Sequence, residues 1–373
     1  MKQPILRVAL PSKGRLEKET LEFLDGCALR VRRENERQYQ ARMTGIDEGI
    51  EVIFQRAADI PKIVGEGRID LGITGFDLLW EKGAEAACIS VFPDERDENL
   101  RKVDSLPYGS CSLVIAIQEH WVHVTNIADL AELAVIHKKR KDILKVATEF
   151  PNLTRKFLFD LGVTHFEIIA VSGAAESAPR TKSAAFVSTL KSSGVTLSEN
   201  RLKEIEGGII ISSGACLIAS SQLAKEGRNS TKLELARNFI DRIEAHMIAE
   251  DFVLVTANIV VNKPDAGEEQ LRTVLSEGLT ELELKLLGQE GPTVAKVIKI
   301  SKEGKGQSEQ NNSYSIYSVS IQVKRENLDK VIAVLRKKSG QNILVSPLNF
   351  VFDDRPKAFA RLSEKLHELK SGN

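Results

Sequence analysis

Short apolar runs separated by polar, helix-spaced stretches fill the first two thirds of the chain. Ile5–Leu10, Glu51–Phe54, Ile69–Thr74, Leu113–Ile117, Lys145–Thr148 and Phe166–Val171 each span four to six residues and end near Gly, Pro or small polar residues. Runs of that length and bounding read as buried strands. Between them lie helical patterns. Leu16, Leu21 and Leu24 share a face and Gly26 follows as a stop; Pro61 and Pro151 are suited to first helical turns. Strands alternating with helices predict an α/β fold with largely parallel sheets. Thr181–Lys191 reads as a helix crossing a small-residue stretch, and Asn152 as the cap of the helix after Pro151. Gly208–Ser212 and Ala215–Ser220 read as two strands returning to the first half of the fold. In Thr231–Ala249, Ala236, Ile240, Ile243 and Met247 line one helical face behind a Thr231–Glu234 capping box.

Beyond Asp251 the pattern changes. Asp251–Val261, Val294–Ile300, Tyr314–Val323 and Ile343–Phe352 read as strands, and Glu326–Ser339 as a helix, with a polar hairpin loop at Gly304–Asn312. That succession fits a ferredoxin-like βαββαβ unit. Lys357–Asn373 reads as a terminal helix that frays.

Length and charge narrow the function. A chain of 373 residues predicts two or three domains. Lys plus Arg and Asp plus Glu are 52 each, so no net charge draws the protein to nucleic acid or a membrane. The arginines between Arg30 and Arg42 are diluted by Glu34 and Glu36, and His137–Lys141 reads as a solvated basic loop. Cys27, Cys88, Cys111 and Cys216 form no C-x-x-C, which predicts reduced thiols in a cytoplasmic protein. The N-terminal apolar run is too short for a signal peptide, and no run reaches membrane-spanning length. His120 and His123 lack further ligand candidates nearby in sequence, so no protein-held metal is expected there.

Three turns carry the chemistry. Ser12-Lys13-Gly14-Arg15 puts two cations at a helix start; read alone it is an ordinary solvated turn. Thr74-Gly75-Phe76-Asp77 lies at the C-terminal end of a strand, the edge where open α/β sheets bind ligands, and Arg56 begins the segment that leads to it. Val171–Leu197 holds two small-residue turns, each beside a helix start, where clustered N–H groups are suited to phosphate.

These stretches resemble ATP phosphoribosyltransferase, which opens histidine biosynthesis. Pro11–Leu16 matches its opening motif. Asp59–Asp77 matches D-I-P-x-x-V-x-x-G-x-x-D-L-G-I-T-G-x-D almost position for position, and Val146–Phe157 matches a third motif. In the central segment Ser172, Gly173, Glu176, Ala178, Pro179, Arg180, Ala184, Gly194, Thr196 and Leu197 keep the pattern. Gly291–Val294 matches the regulatory tail of the long form.

The resemblance implies a two-lobed fold like type II periplasmic binding proteins. Residues 1–107 and 206–250 would form lobe I and 108–205 lobe II. A regulatory ferredoxin-like domain would follow at 251–355, then a tail at 356–373. It implies ATP and phosphoribosyl pyrophosphate as substrates, substrate-bound Mg2+, histidine as inhibitor, and a homo-oligomer, hexamer or dimer. Lys13, Arg15 and Glu176 would serve catalysis. Ser172, Gly173, Arg180, Ser192, Ser193, Gly194, Val195, Thr196 and Leu197 would hold the phosphoribosyl group. Gly14, Arg56, Thr74, Gly75 and Asp77 would face the nucleotide. Three positions depart from the family pattern: Lys182 replaces Gly, and Ala185 and Thr189 replace Asp. They motivate a second reading, a catalytically impaired paralogue that binds or regulates. A third, a two-lobed binder of small anions or amino acids, is weaker, since the phosphoribosyl turn counts against it.

Overall fold

The computed structural model describes residues 6–33, 35, 38–46, 49–82, 88–92, 105–192, 194–227, 230–261, 293–297 and 315–371. Met1–Asp241 with Arg355–Asn373 form one compact unit, and Arg242–Asp354 a second.

The first unit contains two sheets. Lobe I is built on β1 (Leu6–Pro11), β2 (Arg30–Arg32), β3 (Gln40–Thr44), β4 (Ile50–Gln55), β5 (Leu71–Gly75), β6 (Cys88–Phe92) and β12 (Ala215–Ser220), in the order β2-β3-β4-β1-β5-β12-β6. Lobe II is built on β7 (Cys111–Gln118), β8 (Leu144–Thr148), β9 (Phe166–Ala170), β10 (Phe186–Lys191) and β11 (Leu202–Ser213), in the order β11-β7-β10-β8-β9. The two sheets share one plan. Three parallel strands (β4-β1-β5; β9-β8-β10) are followed by an antiparallel strand arriving from the other lobe (β12; β7) and one more strand beside it (β6; β11). That reciprocal exchange is the type II periplasmic-binding-protein topology. Its central strands, such as β1 and β12, are buried almost throughout, which is why they read as continuous apolar runs.

Helices α1 (Gly14–Gly26), α2 (Ile60–Gly65) and α3 (Phe76–Lys82) accompany the first sheet; α4 (Ile127–Lys139), α5 (Pro151–Asp160) and α6 (Val195–Glu199) accompany the second, and α7 (Thr231–Glu250) runs from the first unit into the second. Ile60, Val64, Phe76 and Leu79 pack on Ala9, Cys216 and Ile218 in one core, and Leu130, Ala134 and Leu158 on Ile115, Val146 and Phe186 in another.

Several local expectations are corrected. Thr181–Lys191 is not a helix. Residues 181–185 turn, and Phe186–Lys191 is a strand between β7 and β8 with its first four residues buried. Phe186, Val187, Ser188 and Thr189 are buried on both faces, so the strand lacks the alternation that separates strand from helix. The return begins later than residue 206, since β11 pairs with β7 down to Ser213 and the chain re-enters lobe I only past Gly214. The cap of α7 falls one residue early: the Ser230 hydroxyl, not Thr231, accepts from the Leu233 N–H at 3.2 Å. Asn152 does not cap α5 either. Phe150 holds the N-cap position, and the α5 amides donate to Glu81 of lobe I.

In the second unit β13 (Phe252–Val261), β14 (Thr293–Lys296), β15 (Ser315–Lys324) and β16 (Gly340–Pro347) form an antiparallel sheet in the order β14-β15-β13-β16. This is the ferredoxin-like order, with the outer strands second and last in sequence. The last strand lies earlier than Ile343–Phe352. Val255, Ala257, Val319 and Ile321 alternate onto one face and pack with Val331, Val334 and Leu335 of α8 (Leu328–Lys337). The expected loop Gly304–Asn312 and the motif residues Gly291 and Pro292 lie outside the described residues. A final helix, α9 (Lys357–Ser371), belongs to the first unit.

Candidate active site

The two crossings between the lobes run side by side. Ser213 of β11 pairs with Cys111 of β7; the Ala215 N–H donates to the Tyr108 carbonyl at 3.0 Å, and the Leu106 N–H to the Ala215 carbonyl at 3.0 Å. Gly109 and Gly214 allow this approach. A Cβ on Gly109, whose φ is +73°, would lie 3.1 Å from the Ala215 nitrogen, and one on Gly214 would lie 2.8 Å from the Ser105 hydroxyl.

The C-terminal strand ends of both sheets abut this crossing. Gly75, the last residue of β5, is opposite Ala215, and Lys191, the last of β10, is opposite Ser112. Paired strands lie about 5 Å apart, so the turn after β5 and the turn after β10 face the same narrow region.

On the lobe I side, Thr74 is fully buried and its hydroxyl donates to the Ala57 carbonyl at 2.7 Å, next to exposed Arg56. Arg56 follows β4 and Lys13 follows β1. The Ser12 N–H donates to the Gln55 carbonyl at 2.8 Å, so these exposed cations leave adjacent strand ends. Arg15 is steadied from two sides: its guanidinium donates to the Ser110 carbonyl at 3.4 Å and its Nε is 3.6 Å from Glu19 Oε1. Gly14 enters α1 at a φ of 79°, with open space where a Cβ would be. Three basic side chains thus line one edge, as suits anionic substrates.

Asp77 is engaged by the crossing strand. It is buried; its carboxylate accepts from the Ser213 hydroxyl, and its N–H donates to the same oxygen at 2.9 Å. Burial pushes its carboxyl above the ordinary value of 3.8. Asp77 therefore ties the start of α3 to the crossing strand. Burial, followed by the nearby Asp77 charge, raises the Cys111 thiol to about 11, so the thiol is not a ready nucleophile.

On the lobe II side, Val171-Ser172-Gly173-Ala174 leaves β9 with Ser172 and Gly173 exposed, Gly173 at a φ of 93° and Ala174 at 53°. A single 3-10 turn, Ala175–Ser177, follows. Glu176 on that turn is half-buried, and its Oε1 accepts from the Thr189 hydroxyl at 2.6 Å. Arg180 is exposed four residues on. Lys182, at the family's Gly position, holds a φ of 60°. Ala185 is half-buried and packs against the apolar core, where it offers no polar atom.

At the end of β10, Ser192 is exposed and Gly194 caps α6 at a φ of 82°. Val195 and Thr196 are exposed in the first turn, while Leu197 is buried with Val114, Ala116 and Val187 and anchors it. First-turn N–H groups lack intrahelical partners and favour anions. Ser193 lies outside the described residues. Two polar partners were not singled out by the motifs as site residues. Ser213 lies in the short Ser213-Gly214-Ala215 linker, and Glu204 accepts from Lys191 at 2.5 Å across 13 residues, a spacing that carries no sequence signal.

Two lobes of type II periplasmic-binding-protein topology, with cations at one cleft edge and a glycine-capped helical turn at the other, define a two-lobed α/β protein whose crossing gathers groups suited to anions. The family model "HisG: ATP phosphoribosyltransferase" matches residues 56–245. ATP phosphoribosyltransferase 1, chloroplastic, of Arabidopsis thaliana is 33% identical over 364 residues, covering 97% of this chain and 81% of that protein. The ATP phosphoribosyltransferase of Brucella suis is 36% identical over 230 residues, 61% of this chain and 93% of its own length. Among solved structures, the ATP phosphoribosyl transferase (HisG:HisZ) complex from Thermotoga maritima aligns with 64% of this chain and 96% of that one, at 22% identity and a TM-score of 0.47. The chain belongs to the ATP phosphoribosyltransferase family, matches the plant enzymes over 97% of its own length, and is an enzyme of glycosyltransferase type.

Proposed function

We propose that this chain joins N1 of ATP to C1 of phosphoribosyl pyrophosphate and releases pyrophosphate, the first step of histidine biosynthesis. The observation that carries this reading is the convergence of two strand-end turns on one crossing, seen in the pairings Gly75 with Ala215 and Lys191 with Ser112. Such a displacement needs two anionic substrates held in line and little covalent help. Lys13, Arg15 and Arg56 offset substrate charge on the lobe I edge. The first turn of α6 takes the 5′-phosphate on its N–H groups. Glu176, oriented by Thr189, accepts from the ribose hydroxyls.

Among the described residues no three His, Cys, Asp or Glu side chains gather as a metal site. Glu176 offers a single carboxylate on the phosphoribosyl loop, a donor set that fits Mg2+ brought in on the diphosphate. That ion would offset charge on the leaving group. We assign histidine sensing to the ferredoxin-like unit, and assembly to a hexamer or dimer of this chain. A reducing compartment such as the cytoplasm suits four cysteines with no disulfide among them; the Arabidopsis relatives are named chloroplastic.

A second reading, a catalytically impaired paralogue, is favoured by Ala185, which packs as a core residue where the family has a carboxylate. Incubation with ATP, phosphoribosyl pyrophosphate and Mg2+ separates the two. Formation of phosphoribosyl-ATP supports the transferase, whereas binding of phosphoribosyl pyrophosphate without product supports the paralogue.

A further inference from the structure

We propose that Glu81 and Asn152 form a latch between the lobes that sets cleft closure, which makes Glu81 a positioning residue for phosphoribosyl transfer. The inference rests on the proposed transferase reading. Glu81 is the next-to-last residue of α3 and only 4% exposed. Its Oε1 accepts from the Asn152 N–H at 3.0 Å, and its Oε2 from the Leu153 N–H at 2.9 Å. In return the Asn152 side-chain amide donates to the Glu81 backbone carbonyl at 3.1 Å. The C-terminal end of a lobe I helix and the N-terminal end of a lobe II helix thus cap each other across 71 residues.

The chemistry makes the contact selective for one lobe separation. A carboxylate at a helix N-terminus is stabilised by the first-turn N–H groups and the helix dipole. α5 has no local substitute, because Phe150 at its N-cap carries no acceptor side chain. If the lobes part by a few ångström, both helix ends lose their partners together.

The latch also joins the two substrate edges. α3 starts at the Gly75 turn and is pinned there by Asp77 to Ser213. From α5, the Thr154 hydroxyl donates to the Ser188 hydroxyl at 2.9 Å; the next residue, Thr189, holds Glu176. A shift at the latch therefore moves the nucleotide turn relative to the carboxylate assigned to the ribose.

The test uses the full-length protein and the variants Glu81→Gln, Glu81→Ala and Asn152→Ala. Two quantities are read: amide hydrogen exchange at residues 150–156, and kcat and KM with phosphoribosyl pyrophosphate and ATP. In Glu81→Ala the Asn152 and Leu153 amides should exchange at least about tenfold faster. kcat should fall about a hundredfold, as expected for misplaced reactants, with the affinity for phosphoribosyl pyrophosphate alone changed less than about threefold. Glu81→Gln, which keeps a carbonyl acceptor, should fall between wild type and Ala. Unchanged kcat in variants whose amides have lost protection overturns the positioning role, and unchanged exchange overturns the latch itself. If Glu81→Ala does not fold, the same criteria apply to Glu81→Gln and Asn152→Ala. If wild type makes no product, the exchange arm still decides the latch, while the missing product counts against the transferase reading alone.

Discussion

Thr189 puts a hydroxyl where the family has a carboxylate, and that hydroxyl is bonded to Glu176. Thr189→Val should raise the KM for phosphoribosyl pyrophosphate about tenfold, since a hydrogen bond to a charged group is worth about 1.5–3 kcal/mol. Steady-state kinetics with saturating ATP checks this, and no change in KM would detach Thr189 from the site. Lys182 gives an independent stability prediction. An exposed lysine at a φ of 60° costs roughly 1 kcal/mol relative to glycine, so Lys182→Gly should raise the melting temperature by a few degrees. Asp77 supplies a pH prediction. Its folded carboxyl is pushed above 3.8; as pH rises past that value the unfolded chain gives up this proton before the folded one does. Its contribution to stability therefore falls with rising pH through that window. Asp77→Asn should gain stability relative to wild type as pH rises above 3.8, read from denaturant midpoints. The motifs placed Asp77 in its turn but could not show its bond to Ser213, which lies 136 residues away.

At the scale of elements, the strands with clear bounding residues were legible: β1, β5, β7, β8 and β9 lie within a residue or two of their predicted limits. β10 was not, because a strand buried between two neighbours shows neither period. The cap of α5 was invisible for another reason: it is supplied by Glu81 from the other lobe, and local rules look only at adjacent residues. Gly194 shows local sequence acting through geometry. Its φ of 82° turns the end of β10 into α6, and the nearest atom to an added Cβ is Lys191 Cε at 3.5 Å. Gly194→Ala meets no steric block, so its cost is backbone strain of about 1 kcal/mol. It should weaken phosphoribosyl pyrophosphate binding while leaving ATP binding unchanged, which calorimetric titration of each substrate measures.

For the whole molecule, the alternation of strands and helices announced an α/β fold, and the later run of strands a separate βαββαβ unit. The reciprocal exchange of β7 and β12 between sheets needed the pairing pattern itself. It is this exchange that brings Gly75 and Lys191 to one crossing, and the mechanism depends on that meeting. Crystallography of the protein with phosphoribosyl pyrophosphate tests it most directly. The account predicts the 5′-phosphate on the backbone amides of Gly194–Leu197, with the Glu176 carboxylate on the ribose hydroxyls and Arg15 on the facing edge. A sugar-phosphate bound away from the crossing, with the α6 turn empty, would contradict it.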